Sequence, residues 1–355
     1  MDISIIGANG STGKHIASRI LLERLLLPTD RLQLVGRKGG SSANALYGFR
    51  QDLKDAFAEH CPIIDIALHP EEVVADIIVM AAGSTIQAHN DPHKAPPSRD
   101  ELAVYNQQIT IPYAEALAQY GHGHEVVIVV TNPVELIVEI FSQRYDRHRI
   151  IGMGAYQDSL RFRREVARSL NVSREAVRAM VLGEHGDGIV PLWSSITVQG
   201  FSDNETICAI RKVRSSTSSR DFPETLIRMR NDIIKIAQSG DIAEAFRIFD
   251  TLPPDIRIMI GPFLTLFAGA KTDIATANAS VDLIKSMLSG KDTVIAAQVS
   301  LANEFLQVNG PIGAPVVISP KGWDAVYPTT LSEGEQQLFL QSAQSIQEKL
   351  KRWIV

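Results

Sequence analysis

The chain has 355 residues, 45% of them hydrophobic and 21% charged, the balance of an ordinary globular protein. Its 35 basic and 40 acidic side chains leave a net charge of −5, which offers no electrostatic footprint for nucleic acid or an anionic membrane surface. Two interlocked domains are expected at this length; no apolar run is long enough to span a bilayer, and no basic leader precedes Met1-Asp2-Ile3-Ser4, so a cytoplasmic protein is expected.

Ile3-Ser4-Ile5-Ile6 reads as a short strand that stops at a glycine turn, Gly7-Ala8-Asn9-Gly10-Ser11-Thr12-Gly13. Glycines between a first strand and a first helix permit positive φ and let backbone amides approach a pyrophosphate at the helix N-terminus. The turn is therefore a candidate dinucleotide cradle, although a tight strand-to-helix turn alone would use the same residues. Its GxxGxxG spacing is one residue longer than the commonest fingerprint. Helical spacing predicts a helix over residues 14–27, with Pro28 as its stop, and Leu32-Gln33-Leu34-Val35 is the next strand. That strand runs into Gly36-Arg37-Lys38, with Ser41 and Ser42 beyond. A carboxylate at this place would accept from ribose hydroxyls; a guanidinium and hydroxyls suit a 2′-phosphate instead, so NADP is expected over NAD. A basic surface turn is the alternative, and Asp30 stands at the wrong end of the strand for ribose.

Residues 76–81 and 126–130 are continuous apolar runs, as strands covered on both faces are. Strands alternating with helices imply a parallel sheet with right-handed crossovers. Ile150-Ile151-Gly152 is expected to close that sheet, which divides the chain into a dinucleotide-binding domain, 1–150, and a substrate-binding and catalytic domain of mixed α/β structure, 151–355. Strands are expected at 191–198 and 316–318. A capping box, Ser332-x-x-Glu335, opens a last helix whose Phe339, Ala343, Ile346 and Leu350 share one face. Cys61 and Cys208 form no CxxC and are expected as two buried reduced thiols, with neither a disulfide nor a zinc site.

The chemistry concentrates in two segments. Asp158-Ser159-Leu160-Arg161 precedes Leu182-Gly183-Glu184-His185-Gly186-Asp187. Oxidising an alcohol carbon by hydride loss needs a base for the hydroxyl proton, and imidazole suits that near neutrality. A buried aspartate behind the ring would fix its tautomer and favour the imidazolium. Arg161, one helical turn from Asp158, offers a planar fork for a carboxylate. Taken alone, these residues could equally be a surface ion pair and a histidine in a glycine turn.

Together the motifs resemble the lactate/malate dehydrogenase family over nearly the whole chain. The segments that carry the resemblance are residues 7–13, Met80-Ala81-Ala82-Gly83, Ser98-Arg99-Asp100-Glu101-Leu102 with Asn106, Val130-Thr131-Asn132-Pro133, Asp158-Ser159-Leu160-Arg161-Phe162-Arg163, Gly183-Glu184-His185-Gly186-Asp187 and Ala314-Pro315-Val316-Val317-Ile318. The resemblance implies a Rossmann domain with a mixed α/β substrate domain, and a dimer or tetramer acting on a small 2-hydroxy or 2-oxo acid. It implies His185 as proton acceptor, Asp158 as its orienting partner, and Arg161 as the anchor of the substrate carboxylate. Arg99 would polarise the substrate carbonyl from a mobile lid, and Asn132 would touch both substrate and nicotinamide. Cofactor contacts are expected at Gly7, Asn9, Gly10, Ser11, Thr12, Gly13, Gly36, Arg37, Ala82, Gly83, Asn106, Thr131 and Asn132.

The departures bear on the substrate. Malate-specific members place a second arginine six residues before the equivalent of Arg99, and here that place holds His93, followed by Lys94. Residues 84–91 look inserted in the lid, Gln157 replaces a leucine before Asp158, and residues 239–262 look like an insertion that could enlarge the pocket, build a subunit contact or merely elaborate the surface. Malate with oxaloacetate is the first expectation, with His93 as a candidate substrate contact. A lactate-type or other 2-hydroxy-acid dehydrogenase, or a dinucleotide sensor without turnover, are the alternatives.

Overall fold

The structure is a computed structural model that describes residues 1–84, 99–214 and 222–354. The first half runs β1 (Asp2–Ile6), α1 (Ser11–Leu22), β2 (Arg31–Val35), α2 (Gly40–Ala56), β3 (Ile63–Ala67), β4 (Ile77–Met80), α3 (Arg99–Tyr120), β5 (Val126–Val129), α4 (Val134–Ser142) and β6 (Ile150–Gly152). There follow α5 (Gly154–Leu170), β7 (Val177–Arg178), β8 (Val181–Gly183), β9 (Ile189–Pro191), β10 (Thr197–Val198), α6 (Asp203–Val213), α7 (Phe222–Gln238), α8 (Ile242–Thr251) and α9 (Pro254–Phe267). The chain ends with α10 (Asp273–Leu288), β11 (Thr293–Ala302), β12 (Asn309–Ser319), β13 (Gly322–Val326) and α11 (Glu333–Trp353).

Strands β3-β2-β1-β4-β5-β6 lie side by side and parallel, the doubly wound order that brings the ends of β1 and β4 together at its switch point. Every residue of β4 and β5 is buried, which is why their sequences carry no polar alternation. The sheet does not stop at β6, contrary to expectation. Gln298 of β11 pairs antiparallel with Gly152, and β12, β8 and β9 extend the same sheet. Gly152 permits this meeting, since a Cβ there would lie 2.7 Å from that of Gln298.

Two apolar clusters form the core. One joins the parallel strands to α10, β11, β12 and α11; the other gathers α5 through α9 around Phe162, Trp193 and Ile256. Other expectations need correction. Helix α1 ends at Leu22 rather than near 27, because Arg24 takes a left-handed φ of 52° and breaks the ladder. Residues 191–198 make the end of β9 and the short β10 around a 3-10 turn, not one strand. Cys208 is exposed and Cys61 half-buried, so the two thiols are not both core residues. The capping box at Ser332 and Glu335 forms, and Phe339, Ala343, Ile346 and Leu350 are buried. No helix among the described residues is long and apolar enough to cross a membrane.

Candidate functional site

The loop after β8 carries His185, and three neighbours shape it. Gly183 and Gly186 adopt positive φ, 84° and 140°, so the chain turns sharply on either side of the histidine. From α11, Ser342 Oγ accepts from the backbone N–H of Glu184 (2.8 Å) and donates to the carbonyl of Gly188 (2.7 Å), while Lys349 Nζ pairs with Glu184 Oε1 (2.5 Å). From α4, Glu135 Oε1 accepts the backbone N–H of His185 at 2.7 Å. Gly154, the first residue of α5, has no side chain for a physical reason: a Cβ there would stand 2.5 Å from His185 Cγ.

Helix α5 faces this loop with Asp158 and Arg161. Asp158 Oδ2 lies 2.7 Å from His185 Nδ1, and Arg161 Nη1 donates to Asp158 Oδ1 at 2.9 Å. One carboxylate therefore holds both cationic groups, and the ring's Nε2 is left for a ligand. Burial pushes the Asp158 carboxyl up, but His185 and Arg161 more than offset this and hold it below the ordinary range. Burial lowers the His185 imidazole, but Asp158 prevails and leaves it above its usual value. Glu135 is pushed up to about 7 by burial and by the charge of Glu184, against the N–H of His185 that it accepts.

These side chains line a cavity of about 290 Å³ that also reaches Thr12, Gly83, Asn132 and Lys271. At its far end the glycine turn is packed so closely that side chains are excluded. A Cβ at Gly7 (φ +89°) would stand 2.6 Å from Ala82 Cα, one at Gly13 would strike the carbonyl of Gly7, and one at Gly83 would lie 2.7 Å from Thr131 Cγ2. Gly10 caps α1 without a side-chain acceptor, Ser11 opens the helix, and the buried Asn9 Oδ1 has no partner among the described residues. Free helix N–H groups and a close-packed glycine backbone fit a dinucleotide pyrophosphate, and the orphaned amide oxygen is an acceptor for a ligand hydroxyl such as that of a ribose. Thr12 Oγ1 donates to Asp273 Oδ1 (2.7 Å), which ties this turn to α10.

The edge that would meet the adenosine ribose is also visible. Gly36 directly follows β2 and donates to the carbonyl of Ala67, Arg37 is exposed, and Asn9 Nδ2 reaches Ser42 Oγ at 3.4 Å. Asp30 is engaged elsewhere, with the amino group of Met1 and the N–H of Leu27.

Not every expected residue faces the cavity. Asn106 is fully buried and spends its amide on Ser84 N–H (2.6 Å), Ser84 O (2.9 Å) and Asn132 O (2.6 Å), so it clasps the turns after β4 and β5 from behind. Thr131, by contrast, lines the cavity while its hydroxyl donates to Ala82 O at 2.8 Å. Asn132, joined to Pro133 by a cis peptide, is exposed and lines the cavity. Arg99 opens α3, with its side chain outside the described atoms, and His93 lies outside the described residues. Asp100 beside it accepts from Trp353 Nε1 at 2.6 Å.

Glu135 escaped the sequence reading, whereas Gln157 and residues 239–262 were singled out there and now find their places. Glu135 was hidden inside an apolar helix, where an acidic residue among Val134, Leu136 and Ile137 was the available signal. Gln157 bonds Thr276 (3.1 Å) on the cavity wall. Residues 239–262 are not mere surface decoration, because α9 is buried from Pro254 to Ile260 and lines the cavity through Ile258, Met259 and Pro262.

Comparison with known proteins agrees with this arrangement. A family profile described as lactate/malate dehydrogenase, NAD binding domain, matches residues 1–152, and a second, lactate/malate dehydrogenase, alpha/beta C-terminal domain, matches residues 157–244. An L-2-hydroxycarboxylate dehydrogenase (NAD(P)(+)) of Methanocaldococcus jannaschii is 32% identical over 208 residues, 57% of this chain and 62% of that protein. A malate dehydrogenase of Trichormus variabilis is 28% identical over 354 residues, 99% of this chain and 93% of that one. The fold is shared with the crystal structure of Cryptosporidium parvum malate dehydrogenase (TM-score 0.74, 24% identity, 99% of this chain and 98% of that one). It is shared equally with lactate dehydrogenase from Eimeria maxima with NADH and oxamate (TM-score 0.74, 21% identity, 99% and 93%). The two profiles, in order and over more than half of its length, show that this chain belongs to the lactate/malate dehydrogenase family, dehydrogenases that act on a CH–OH group with a nicotinamide cofactor.

Proposed function

We propose that the protein interconverts a 2-hydroxy acid and its 2-oxo acid, with NADP preferred over NAD and His185 as the proton acceptor. The observation that carries this reading is the single buried carboxylate of Asp158, shared by His185 Nδ1 and Arg161 Nη1 on the wall of one cavity that ends at the glycine turn. When bound, the nicotinamide takes or gives the hydride. The residues do the rest. Asp158 fixes the proton of His185 on Nδ1, so Nε2 can take the hydroxyl proton during oxidation and return it during reduction. The imidazolium formed is stabilised by the carboxylate behind it. Among the described residues, Nε and Nη2 of Arg161 make no other bond, and they would hold the substrate carboxylate. Arg99 would polarise the carbonyl, and Asn132 would contact substrate beside the nicotinamide.

The NADP preference rests on the end of β2, where Gly36, the exposed Arg37 and Ser42 stand in place of a carboxylate. Malate and oxaloacetate, the pair first suggested by the sequence, need a second cation. Among the described residues lining the cavity, Arg161 and Lys271 are the arginine and lysine side chains available. The test is oxidation of NADPH and NADH by the purified protein with a panel of 2-oxo acids, alongside His185→Asn. Turnover lost in that variant with cofactor still bound supports the reading. Full activity in the variant, or cofactor binding without turnover by the wild type on any acid, refutes it.

A further inference from the structure

We propose that the acid taken by this site carries a bulky apolar side chain, branched aliphatic or aromatic, packed against the face of α9; the proposal rests on the 2-hydroxy-acid reading above. Ile258, Met259, Pro262, Phe263 and Leu266 all line the cavity that holds His185 and Arg161. Their spacing of i, i+1, i+4, i+5 and i+8 places them on one side of a helix. Beyond Arg257 that helix contains no charged residue, and its one hydroxyl, Thr265 Oγ1, donates to its own Gly261 carbonyl at 2.9 Å. Past its first turn the helix's backbone N–H groups are bonded within the helix, and Pro262 has none to offer. A substrate carboxylate facing this wall would lose its water and meet no donor from the described residues of α9, which is costly for a charge.

The wall is also fixed. Arg257, adjacent to Ile258, is buried against α5 and donates through Nε to Glu165 Oε2 (2.6 Å), through Nη2 to Ser169 Oγ (2.7 Å) and through Nη1 to the Leu252 carbonyl (2.6 Å). Because α5 also carries Asp158 and Arg161, this anchor sets the distance between the carboxylate fork and the apolar wall. Of the nearby cations, Arg230 is committed elsewhere. Arg230 stacks on the Phe263 ring at 5.0 Å and pairs with Asp187 at 2.8 Å. Lys271 also lines the cavity, but two residues before Asp273, the carboxylate bonded to Thr12 at the cofactor end. Gln157 and Thr276 bond each other. An acid anchored by Arg161 would thus project its side chain towards hydrocarbon.

The experiment is steady-state reduction of pyruvate, oxaloacetate, 4-methyl-2-oxopentanoate and phenylpyruvate by the full chain with NADPH. One added methylene in an apolar pocket changes kcat/KM by about 10- to 200-fold, so one of the two bulky acids should exceed both pyruvate and oxaloacetate by about tenfold or more. Phe263→Ala should narrow that ratio. Equilibrium binding of the same four acids to His185→Asn with NADPH, read by tryptophan fluorescence, reports the wall without the chemistry. Turnover with oxaloacetate preferred overturns the apolar wall and leaves the dehydrogenase reading standing. No turnover in the wild type, with a bulky acid bound tightest by the variant, overturns the dehydrogenase reading and sustains the wall. No preference among the four acids in either measurement overturns the proposal, and the wild-type panel decides even if Phe263→Ala fails to fold.

Discussion

Replacing Asp158 by Asn tests the centre of the site, because it keeps the shape and removes one charge. In the structure that charge is buried, 2.7 Å from His185 Nδ1 and 2.9 Å from Arg161 Nη1. A hydrogen bond to a charged group contributes about 1.5–3 kcal/mol net. If the bond to His185 is fully developed only when the ring is protonated, its loss should lower kcat/KM by about 10- to 150-fold, at about 1.4 kcal/mol per decade. The direction of a second effect is also set. Asp158 is the main group holding the imidazole above its usual value against burial, so in the variant the value falls. Reduction of a 2-oxo acid needs the protonated ring, so activity is lost as pH rises through that value. The alkaline limb of kcat/KM against pH for reduction should therefore move to lower pH in Asp158→Asn. A limb that stays in place, with kcat/KM within about threefold of wild type, would refute the assignment of the pair.

Other outcomes follow from the same geometry. Arg161→Lys should raise KM by about tenfold or more with a smaller change in kcat, since an ammonium cannot present two parallel donors; an unchanged KM would count against the carboxylate anchor. Arg37→Ala should lower the ratio of kcat/KM for NADPH over NADH by about 10- to 150-fold, as loss of a charge-assisted bond to phosphate predicts. Gly36→Asp is a poorer probe of the same idea, because its Cβ would collide with Leu46 Cδ1 in the core. For Glu135, the folded value of about 7 lies above the ordinary 4.5, so the fold binds this proton more tightly than the unfolded chain. Stability should accordingly fall as pH rises from 4.5 through 7, and urea unfolding of Glu135→Gln should show that slope flattened.

Much of the site was legible because its chemistry sits in short linear motifs. His185 in a turn flanked by glycines, Asp158 and Arg161 one helical turn apart, and glycines straight after β1 each carry their geometry locally. The rest depended on contacts across the chain. The apolar spacing of α9 reads the same whether a helix faces the core or a cavity, so Met259 and Phe263 gave no sign of their place. Asn106 stood in a family motif, but only the structure shows its amide consumed by Ser84 and Asn132. Glu135 looked like one more residue of an apolar helix until the His185 loop was laid against it. The end of α1 was overestimated because helical spacing of apolar residues continued past a left-handed Arg24. Arg37 and Gly36 were placed correctly at the end of β2, since a parallel strand in this topology delivers its C-terminal residues to the same edge as β1.

The pairing of Gly152 with Gln298 has a consequence for anyone wishing to divide the molecule. The apolar cluster beneath the parallel strands is completed by Ile295, Val299, Ile312 and Ala314, which arrive more than a hundred residues after β6. A fragment cut after Gly152 would present an open strand edge with unpaired amides and a core missing one wall, the combination that drives sticking between copies. The nucleotide half and the remainder are thus halves of one mortise, each shaped by the other, and they have to be made together.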